Sequence, residues 1–188
     1  MPRANVRRTN EWDAPSMLKV YAPYVGNGTS LDDVETPPLL DFVARVDKYT
    51  YSHGWVVGEV DGVTAGFAYI SENADAPEDI WSRDARIYVA EEFWRRKIGS
   101  AIYKLLLDIL VEAKIQTVNA RIKLPNAAAV EFHKKHGFGV SREEKGICVM
   151  SRTLNTEIPE NMNRPEKAYL VLNDMYVKSR AEAEAMII

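Results

Sequence analysis

The chain of 188 residues contains one cysteine, Cys148. A single cysteine excludes an intramolecular disulfide and a thiolate-rich metal cluster within one chain. Long apolar runs are also absent, because the most apolar stretch, residues 105–111, contains Asp108 and is far shorter than the ~20 residues that span a bilayer. The basic N-terminus continues into polar residues rather than an apolar signal segment. These features predict a cytoplasmic protein.

Neither sign of charge is in excess. The sequence has 24 Lys and Arg against 27 Asp and Glu, a formal net charge of −3. Such a balance provides no general attraction to nucleic acid or to an anionic membrane, so we expect neither as a partner. With 46% hydrophobic and 27% charged residues, the composition is that of a folded globular protein. The length fits one domain.

The order of periodic segments predicts a mixed α/β domain around one sheet. Alternating or β-rich runs predict strands, and apolar positions three and four residues apart predict helices. The dipeptide Asp61-Gly62 is a strong signal for an antiparallel hairpin between two of the strands. Strands are expected at residues 6–9, 55–60, 64–70, 86–90, 118–124 and 148–150, and helices from about residues 13–16, 37, 98 and 126.

The composition changes near residue 155, where Pro and Asn become frequent. We assign residues 1–154 to the domain, and residues 155–188 to a linker followed by a helical C-terminal extension. Leu172, Met175 and Tyr176 share one face of that helix. This face would either contact a second subunit, giving a homodimer, or pack back onto the domain.

Basic residues cluster where a strand leads into the long helix. Arg95, Arg96 and Lys97 immediately precede its first turn. The unpaired N–H groups and the dipole of a helix N-terminus favour a phosphate, and basic side chains add positive charge. A pyrophosphate would fit there, and a solvated basic cluster on a surface helix is the alternative.

Four segments of the chain resemble one family. IYVAEEFWRRKIGSAIY, residues 87–103, is similar to the acetyl-CoA motif of the GNAT superfamily of N-acetyltransferases. IKLPNAAAVEFHKKHGF, residues 122–138, resembles the phosphinothricin N-acetyltransferase branch, as do residues 20–25 and 60–69. The resemblance implies a GNAT-like α/β (α+β) fold, in which helices flank a mixed, mostly antiparallel central sheet. It also implies acetyl-CoA as cosubstrate and no metal cofactor.

The family's glycine-rich pattern begins with Gln or Arg, has Gly three residues on, and has Gly or Ala two residues after that. In the register anchored on the strand, Trp94, Lys97 and Gly99 occupy these positions, and the first two depart from the pattern. A register based on the letters alone uses Arg96, Gly99 and Ala101. We prefer the strand-anchored register, because the flanking residues then align without a gap. It places the Cβ of Lys97 where backbone should closely approach a phosphate.

The resemblance implies a coenzyme site. Backbone groups of Tyr88 and Val89 would bind the pantetheine arm. Asn126 would hydrogen-bond this arm, and Asn is also a good N-cap for the helix that follows. The pyrophosphate would be held by Arg95, Arg96, Lys97, Ile98, Gly99 and Ser100.

The resemblance also implies two catalytic residues. His133 falls where family members carry Tyr or His near the coenzyme sulfur and would protonate the departing thiolate, with a packing role as the alternative. Asp84 falls where the phosphinothricin branch has a glutamate that is proposed as general base. An amine of pKa ~10.4 is protonated at neutral pH, so a base must remove a proton, directly or through water, before attack. An exposed Asp at a strand entry is the alternative for Asp84.

The sequence thus predicts an acetyl-CoA-dependent N-acetyltransferase that transfers an acetyl group directly to a primary amine of a small molecule or peptide. The alternative is a degenerate member that binds acyl-CoA or a partner protein without turnover, which Trp94 and Lys97 favour. Residues 72–79 are acidic, whereas the phosphinothricin branch tends to carry basic residues there. This loop favours a cationic acceptor if it lines the acceptor site, and is otherwise a solvated loop.

Overall fold

The computed structural model describes residues 3–165 and 180–187. Strands and helices occupy most of this length, and we number them in chain order. The elements are β1 (Ala4–Arg8), α1 (Ala14–Gly26), α2 (Leu39–Ser52), β2 (Trp55–Val60), β3 (Val63–Glu72), β4 (Ser82–Val89), α3 (Ile98–Glu112), β5 (Thr117–Lys123), α4 (Ala127–Lys135), β6 (Gly139–Glu144) and β7 (Ile147–Thr153).

The strands form one sheet in the order β1-β2-β3-β4-β5-β7-β6. Every neighbouring pair is antiparallel except β4 and β5, which are parallel. The predicted mixed, mostly antiparallel fold is therefore confirmed. The hairpin between β2 and β3 turns at Asp61 and Gly62, whose φ angles of 52° and 80° are both positive, as the sequence indicated.

The parallel pair separates part of the way along its length. β4 and β5 pair from Ser82 with Thr117 to Ala85 with Ala120. Beyond this point β4 continues beside β3 as far as Val89, and β5 continues beside β7 as far as Lys123. β4 thus stays paired with β3, and β5 with β7, while β4 and β5 separate from each other. A gap therefore opens inside the sheet.

The two faces of the sheet have different cores. Helices α1 and α2 cover one face with a largely aromatic cluster that includes Tyr21, Phe42, Trp55, Phe67 and Tyr88. Helix α3 covers the other face with an aliphatic cluster that includes Ile98, Ile102, Leu105, Leu106 and Ile109. Because β4 lies between these cores, its alternating side chains enter both of them.

Two strands differ from the sequence prediction. β4 begins at Ser82, four residues before the predicted start, and therefore includes Asp84. β6 was not predicted, because all six of its residues are exposed and it has no apolar alternation to mark it. β6 forms through its antiparallel hydrogen bonds to β7 at the edge of the sheet.

The end of the chain contacts its own domain. Residues 180–185 are helical, whereas Leu172, Met175 and Tyr176, on which the helix was predicted, lie outside the described residues. Ala183 is fully buried in the α3-side core, and the Glu184 carboxylate accepts a hydrogen bond of 2.9 Å from the Val6 backbone N–H. The described part of the extension therefore packs back onto the domain. Within the two described ranges, no helix is long and apolar enough to cross a membrane.

Removing residues 180–188 should destabilise the domain without changing its oligomeric state, which light scattering measures. The truncation unpairs the Val6 N–H and exposes the core around Ala183. We expect a loss of about 2 kcal/mol, which corresponds to a fall in Tm of roughly 4–8 °C for a domain of this size. Glu184→Gln, which keeps an acceptor for Val6, is the milder control. A full-length dimer that becomes a monomer on truncation would contradict packing onto the same domain.

Candidate active site

A cleft of about 460 Å³ occupies the gap between β4 and β5. Its walls come from the loop after α1, the second half of β4, the end of β5, and α4. Two of its lining residues, Val89 and Phe132, pack against Gly99 in the first turn of α3. The cleft therefore joins an opening inside the sheet to a potential anion site.

The N-terminus of α3 is packed unusually close to its neighbours. The backbone N–H groups at the start of a helix have no partner within the helix. A Cβ on Gly99 would lie 3.2 Å from Phe132 and 3.4 Å from Val89, so glycine permits the close contact with α4 and β4. These N–H groups and the positive end of the helix dipole form a cradle that suits a phosphate.

The turn before α3 has two non-glycine residues in the left-handed region. Arg95 and Lys97 each have a φ of 62°, a conformation that costs a side chain about 1–2 kcal/mol. Lys97 is the N-cap residue of α3, and it occupies the inner glycine position of the strand-anchored register. Gly99, the inner glycine of the competing register, has no such conformation. The backbone geometry thus favours the strand-anchored register.

Both backbone groups of Val89 already have partners. The Tyr24 hydroxyl donates to the Val89 carbonyl oxygen at 2.6 Å and accepts from the Val89 N–H at 3.2 Å. The Trp94 indole Nε1–H donates to the same carbonyl oxygen at 2.9 Å. Tyr24 and Trp94 both line the cleft, so any ligand that binds Val89 through its backbone must compete with them.

Asn126 and His133 lie on the α4 wall of the cleft. The Asn126 side-chain Oδ1 caps α4 by accepting a hydrogen bond of 3.1 Å from the Ala129 N–H. His133 is buried among aromatic rings, with Nδ1 at 3.2 Å from the Tyr103 hydroxyl. Burial, with a smaller contribution from His136, lowers the pKa of His133 to about 4. Its imidazole is therefore uncharged at neutral pH.

Asp84 lies behind the cleft wall rather than in it. Its side chain is 1% exposed, and it is absent from the residues that line the cleft, all of which belong to the described part of the chain. Its carboxylate accepts from the Ala74 N–H at 3.2 Å and from the Asn119 amide at 3.4 Å. The Arg86 guanidinium is 3.5 Å away. The structure thus separates Asp84 from the cleft-lining residues Tyr88, Val89, Asn126 and His133.

Two cleft residues were not identified from the sequence, Asp32 and Arg86. The Arg86 Nε donates to both oxygens of Asp32, at 2.9 and 3.0 Å. The Tyr69 hydroxyl donates to Asp32 at 2.6 Å, and the Tyr88 hydroxyl lies 3.4 Å from the same oxygen. A charged residue inside an apolar strand was a signal for Arg86, but Asp32 lies in a loop with no local pattern.

The shifts in pKa keep Tyr69, Tyr88 and Arg86 each in one protonation state. Burial raises the pKa of both Tyr69 and Tyr88 well above the usual value for tyrosine, with a further contribution from the Asp32 charge, so both hydroxyls remain protonated donors. Burial is the largest single effect and lowers the pKa of Arg86, but the charge and hydrogen bond of Asp32 and the other neighbouring groups together outweigh it, so the net shift is upward. Arg86 is therefore a permanent cation beside Asp32.

The acidic loop at residues 72–79 does not line the cleft, to judge from the lining residues, all of which the structure describes. Asp75 pairs with Arg121 at 2.7 Å and with Arg142 at 2.8 Å. The hydrogen bond and charge of Arg121 lower the pKa of Asp75. The negative charge of Asp75, one of four acidic residues in this loop, is thus balanced by two arginines.

The sequence and the fold were compared with known proteins. Residues 18–138 match the model of the acetyltransferase (GNAT) family. The chain is 25% identical over 133 residues to a phosphinothricin N-acetyltransferase from Streptomyces viridochromogenes, covering 71% of this chain and 73% of that protein.

Solved structures share the fold at low sequence identity. A phosphinothricin acetyltransferase from Sinorhizobium meliloti in complex with acetyl-CoA has a TM-score of 0.76 and 20% identity, covering 88% of this chain and 98% of that chain. A ribosomal-protein-alanine N-acetyltransferase from Brucella melitensis has a TM-score of 0.67 and 22% identity, covering 79% and 99%. The acceptors in these two names differ, so the shared fold does not identify an acceptor.

Proposed function

We propose that this chain, which belongs to the acetyltransferase (GNAT) family, transfers the acetyl group of acetyl-CoA to a primary amine. The observation that carries the proposal is the cleft between the separated strands β4 and β5, beside the cradle of N–H groups at the start of α3. The open strand edge suits an extended pantetheine arm, and the cradle suits its pyrophosphate. The acetyl-CoA complex of the Sinorhizobium meliloti enzyme supports the same coenzyme here.

In this proposal the cleft residues have distinct tasks. Backbone groups of Tyr88 and Val89 bind the pantetheine arm, and Asn126 approaches it from the N-terminus of α4. Residues 95–100 hold the pyrophosphate, with Ile98, Gly99 and Ser100 supplying N–H groups. The main contribution to rate is the alignment of the amine with the thioester.

The transfer forms a bond between the amine nitrogen and the acetyl carbon, while the bond from that carbon to the coenzyme sulfur breaks. An ammonium acceptor loses two protons in total, one to solvent and one to the departing thiolate. His133 is uncharged at neutral pH because burial lowers its pKa to about 4. We therefore assign it a hydrogen bond to the sulfur rather than proton donation as an imidazolium. Asp84 does not line the cleft, so in this proposal it does not contact the amine, and the first proton passes to solvent water.

Calorimetric titration with acetyl-CoA, followed by a thiol-release assay with a panel of primary amines, tests the proposal. We expect micromolar binding, and thiol release above hydrolysis with at least one amine. Arg96→Ala should weaken binding several-fold by removing a cation at the cradle. Arg8→Ala, at an exposed site on the far edge strand β1, is the matched loss of a cation and should bind normally. Absence of coenzyme binding would contradict the proposal.

A second candidate function is binding of acyl-CoA without turnover. Two observations favour it: the backbone groups of Val89 are occupied by Tyr24 and Trp94, and Lys97 replaces the inner glycine. Saturable binding of acetyl-CoA with no thiol release for any amine in the panel would support this candidate over the first.

Trp94→Phe should tighten acetyl-CoA binding by about fivefold. The change keeps an aromatic ring but removes the N–H that donates to the Val89 carbonyl, so the coenzyme displaces one hydrogen bond fewer, worth about 1 kcal/mol. Calorimetry measures the Kd. Trp12→Phe, at a tryptophan that is 83% exposed and outside the cleft, is the control and should leave the Kd unchanged. Weaker binding in Trp94→Phe would show that the indole contributes to the affinity for the coenzyme.

Lys97→Gly should stabilise the protein by about 1 kcal/mol and lower the Kd for acetyl-CoA several-fold. Glycine adopts positive φ without the steric cost of a Cβ. Without the Cβ of Lys97, a phosphate can approach the backbone more closely. Lys114 also has a positive φ, 64°, but follows the other end of α3. Lys114→Gly should therefore give the same gain in thermal stability with no change in Kd. If both variants bind alike, the side chain at position 97 does not obstruct the coenzyme.

A further inference from the structure

The cleft has one carboxylate among its lining residues, all of which lie in the described part of the chain, and it belongs to Asp32. Asp32 lies in the loop between α1 and α2, which lines the cleft together with β4, the end of β5 and α4. The other charged lining residues are Arg86, which binds Asp32, and Arg121 and Lys123 on β5. Neither β5 cation is within ion-pair distance of Asp32, as far as the described residues show, and Arg121 is paired with Asp75.

The Asp32 carboxylate is held in place rather than mobile. Arg86 and Tyr69 donate to it at 2.9 Å and 2.6 Å, and the Tyr88 hydroxyl lies behind it at 3.4 Å. Tyr69 and Tyr88 are themselves buried in the aromatic core, so these donors cannot follow a moving side chain. A carboxylate fixed in this way presents its remaining lone pairs to the cleft in a constant direction.

Arg86 does not fully neutralise Asp32, because it is shared with a second carboxylate. Its Nη1 is 3.5 Å from Asp84, which is buried behind the cleft wall. Two carboxylates and one guanidinium leave this group with one net negative charge. Since Asp84 is closed off by protein, the side of the group that is open to a mobile cation is the cleft side of Asp32.

We infer that Asp32 binds the positively charged ammonium group of the acceptor, and that Arg86 and Tyr69 orient its carboxylate for this purpose. The inference rests on the proposed function and adds to it that the acceptor approaches from the α1–α2 loop as a cation. Asp84 then has a different role from the one the resemblance implied. From its buried place behind the cleft wall, Asp84 holds Arg86 in position.

The adjacent residue supplies a matched control. Asp33 also anchors the α1–α2 loop through an arginine and a tyrosine, with Arg45 at 2.6 Å and the Tyr21 hydroxyl at 2.6 Å. Asp33 does not line the cleft, whose lining residues are all described. Asp32→Asn and Asp33→Asn therefore remove equivalent loop anchors, but only the first removes the charge that faces the acceptor.

The test compares two nucleophiles of different charge in the thiol-release assay with acetyl-CoA. n-Butylamine is a cation at neutral pH, whereas hydroxylamine is uncharged. Asp32→Asn should lower kcat/KM for n-butylamine relative to hydroxylamine by roughly 10- to 100-fold, as expected for a lost hydrogen bond to a charged group. The loss should appear mainly in KM. Asp33→Asn should leave this ratio within about twofold of the wild-type value, since no charge in the cleft changes.

Several results would overturn the inference. If Asp32→Asn lowers both reactions equally, or if Asp33→Asn changes the ratio as much, Asp32 acts through loop structure rather than through its charge. A fall in kcat at constant KM would assign proton removal instead of ammonium binding. Calorimetric binding of acetyl-CoA by both variants shows that they are folded. If the wild type accepts other amines of the panel but not n-butylamine, an accepted amine replaces n-butylamine in the comparison. If the wild type releases no thiol with any amine of the panel, the proposed function fails, and the inference fails with it.

Discussion

Lowering the pH from 7 to 4 should cost the protein about 3 kcal/mol of folding free energy through His133 alone. Burial, with a smaller effect from His136, lowers the pKa of His133 from 6.5 to about 4. Between these values the unfolded chain binds a proton that the folded chain does not, so stability is complete above pH 6.5 and is lost as the pH falls towards 4. The residue is only 5% exposed, so solvent does little to reduce this effect. For a chain of this size, 3 kcal/mol corresponds to a fall in Tm of roughly 6–12 °C.

Thermal melts of wild type and His133→Gln at a series of pH values measure this contribution. Glutamine keeps a polar group near the Tyr103 hydroxyl but does not titrate. The slope of stability against pH should be smaller in the variant without vanishing. Burial and the nearby charge of Arg83 also lower the pKa of His53 to about 4, and burial lowers that of His136. Identical slopes in the two proteins would show that His133 is protonated in the folded state at mildly acidic pH.

Gly66→Ala should destabilise the protein by about 3 kcal/mol and weaken acetyl-CoA binding more than tenfold. A Cβ at this position would lie 2.8 Å from the Tyr88 carbonyl oxygen and 3.2 Å from the Val89 Cα. Both contacts are with the backbone of β4, which cannot rotate away as a side chain can. Relief therefore requires β4 to move, and β4 carries the groups assigned to the pantetheine arm.

The neighbouring glycine across the hairpin serves as the control. Gly58 pairs with Gly66 in the sheet, and its Cβ would lie 2.8 Å from the Ile102 side chain. Ile102 can shift its outer atoms at a cost of about 1–2 kcal/mol, and β4 stays in place. We expect Gly58→Ala to lower Tm less than Gly66→Ala and to keep the coenzyme Kd. Binding is measured by calorimetry at a temperature where both variants are folded. Equal Kd values for the two variants would show that β4 is not displaced.

Local patterns were sufficient for most of the framework. The hairpin at Asp61-Gly62 and the helices α3 and α4 follow from short-range rules, since positive φ, helical spacing and caps each depend on a few neighbouring residues. The same holds for the cradle at residues 95–100, because a helix N-terminus has free N–H groups whatever surrounds it. β6 was missed because an exposed edge strand carries no burial pattern.

The sequence by itself determined the mixed α/β fold class and the position of the basic residues at the N-terminus of α3, because these depend on spacing along the chain. Tertiary structure alone decided which acidic residue faces the cleft. Asp32 and Asp84 are separated along the chain by α2, β2 and β3, yet Arg86 contacts both. Their burial depends on how β4 pairs with its neighbours and on how the α1–α2 loop crosses it, and neither is encoded by local spacing. The same long-range packing buries His133 and brings Tyr24 onto Val89.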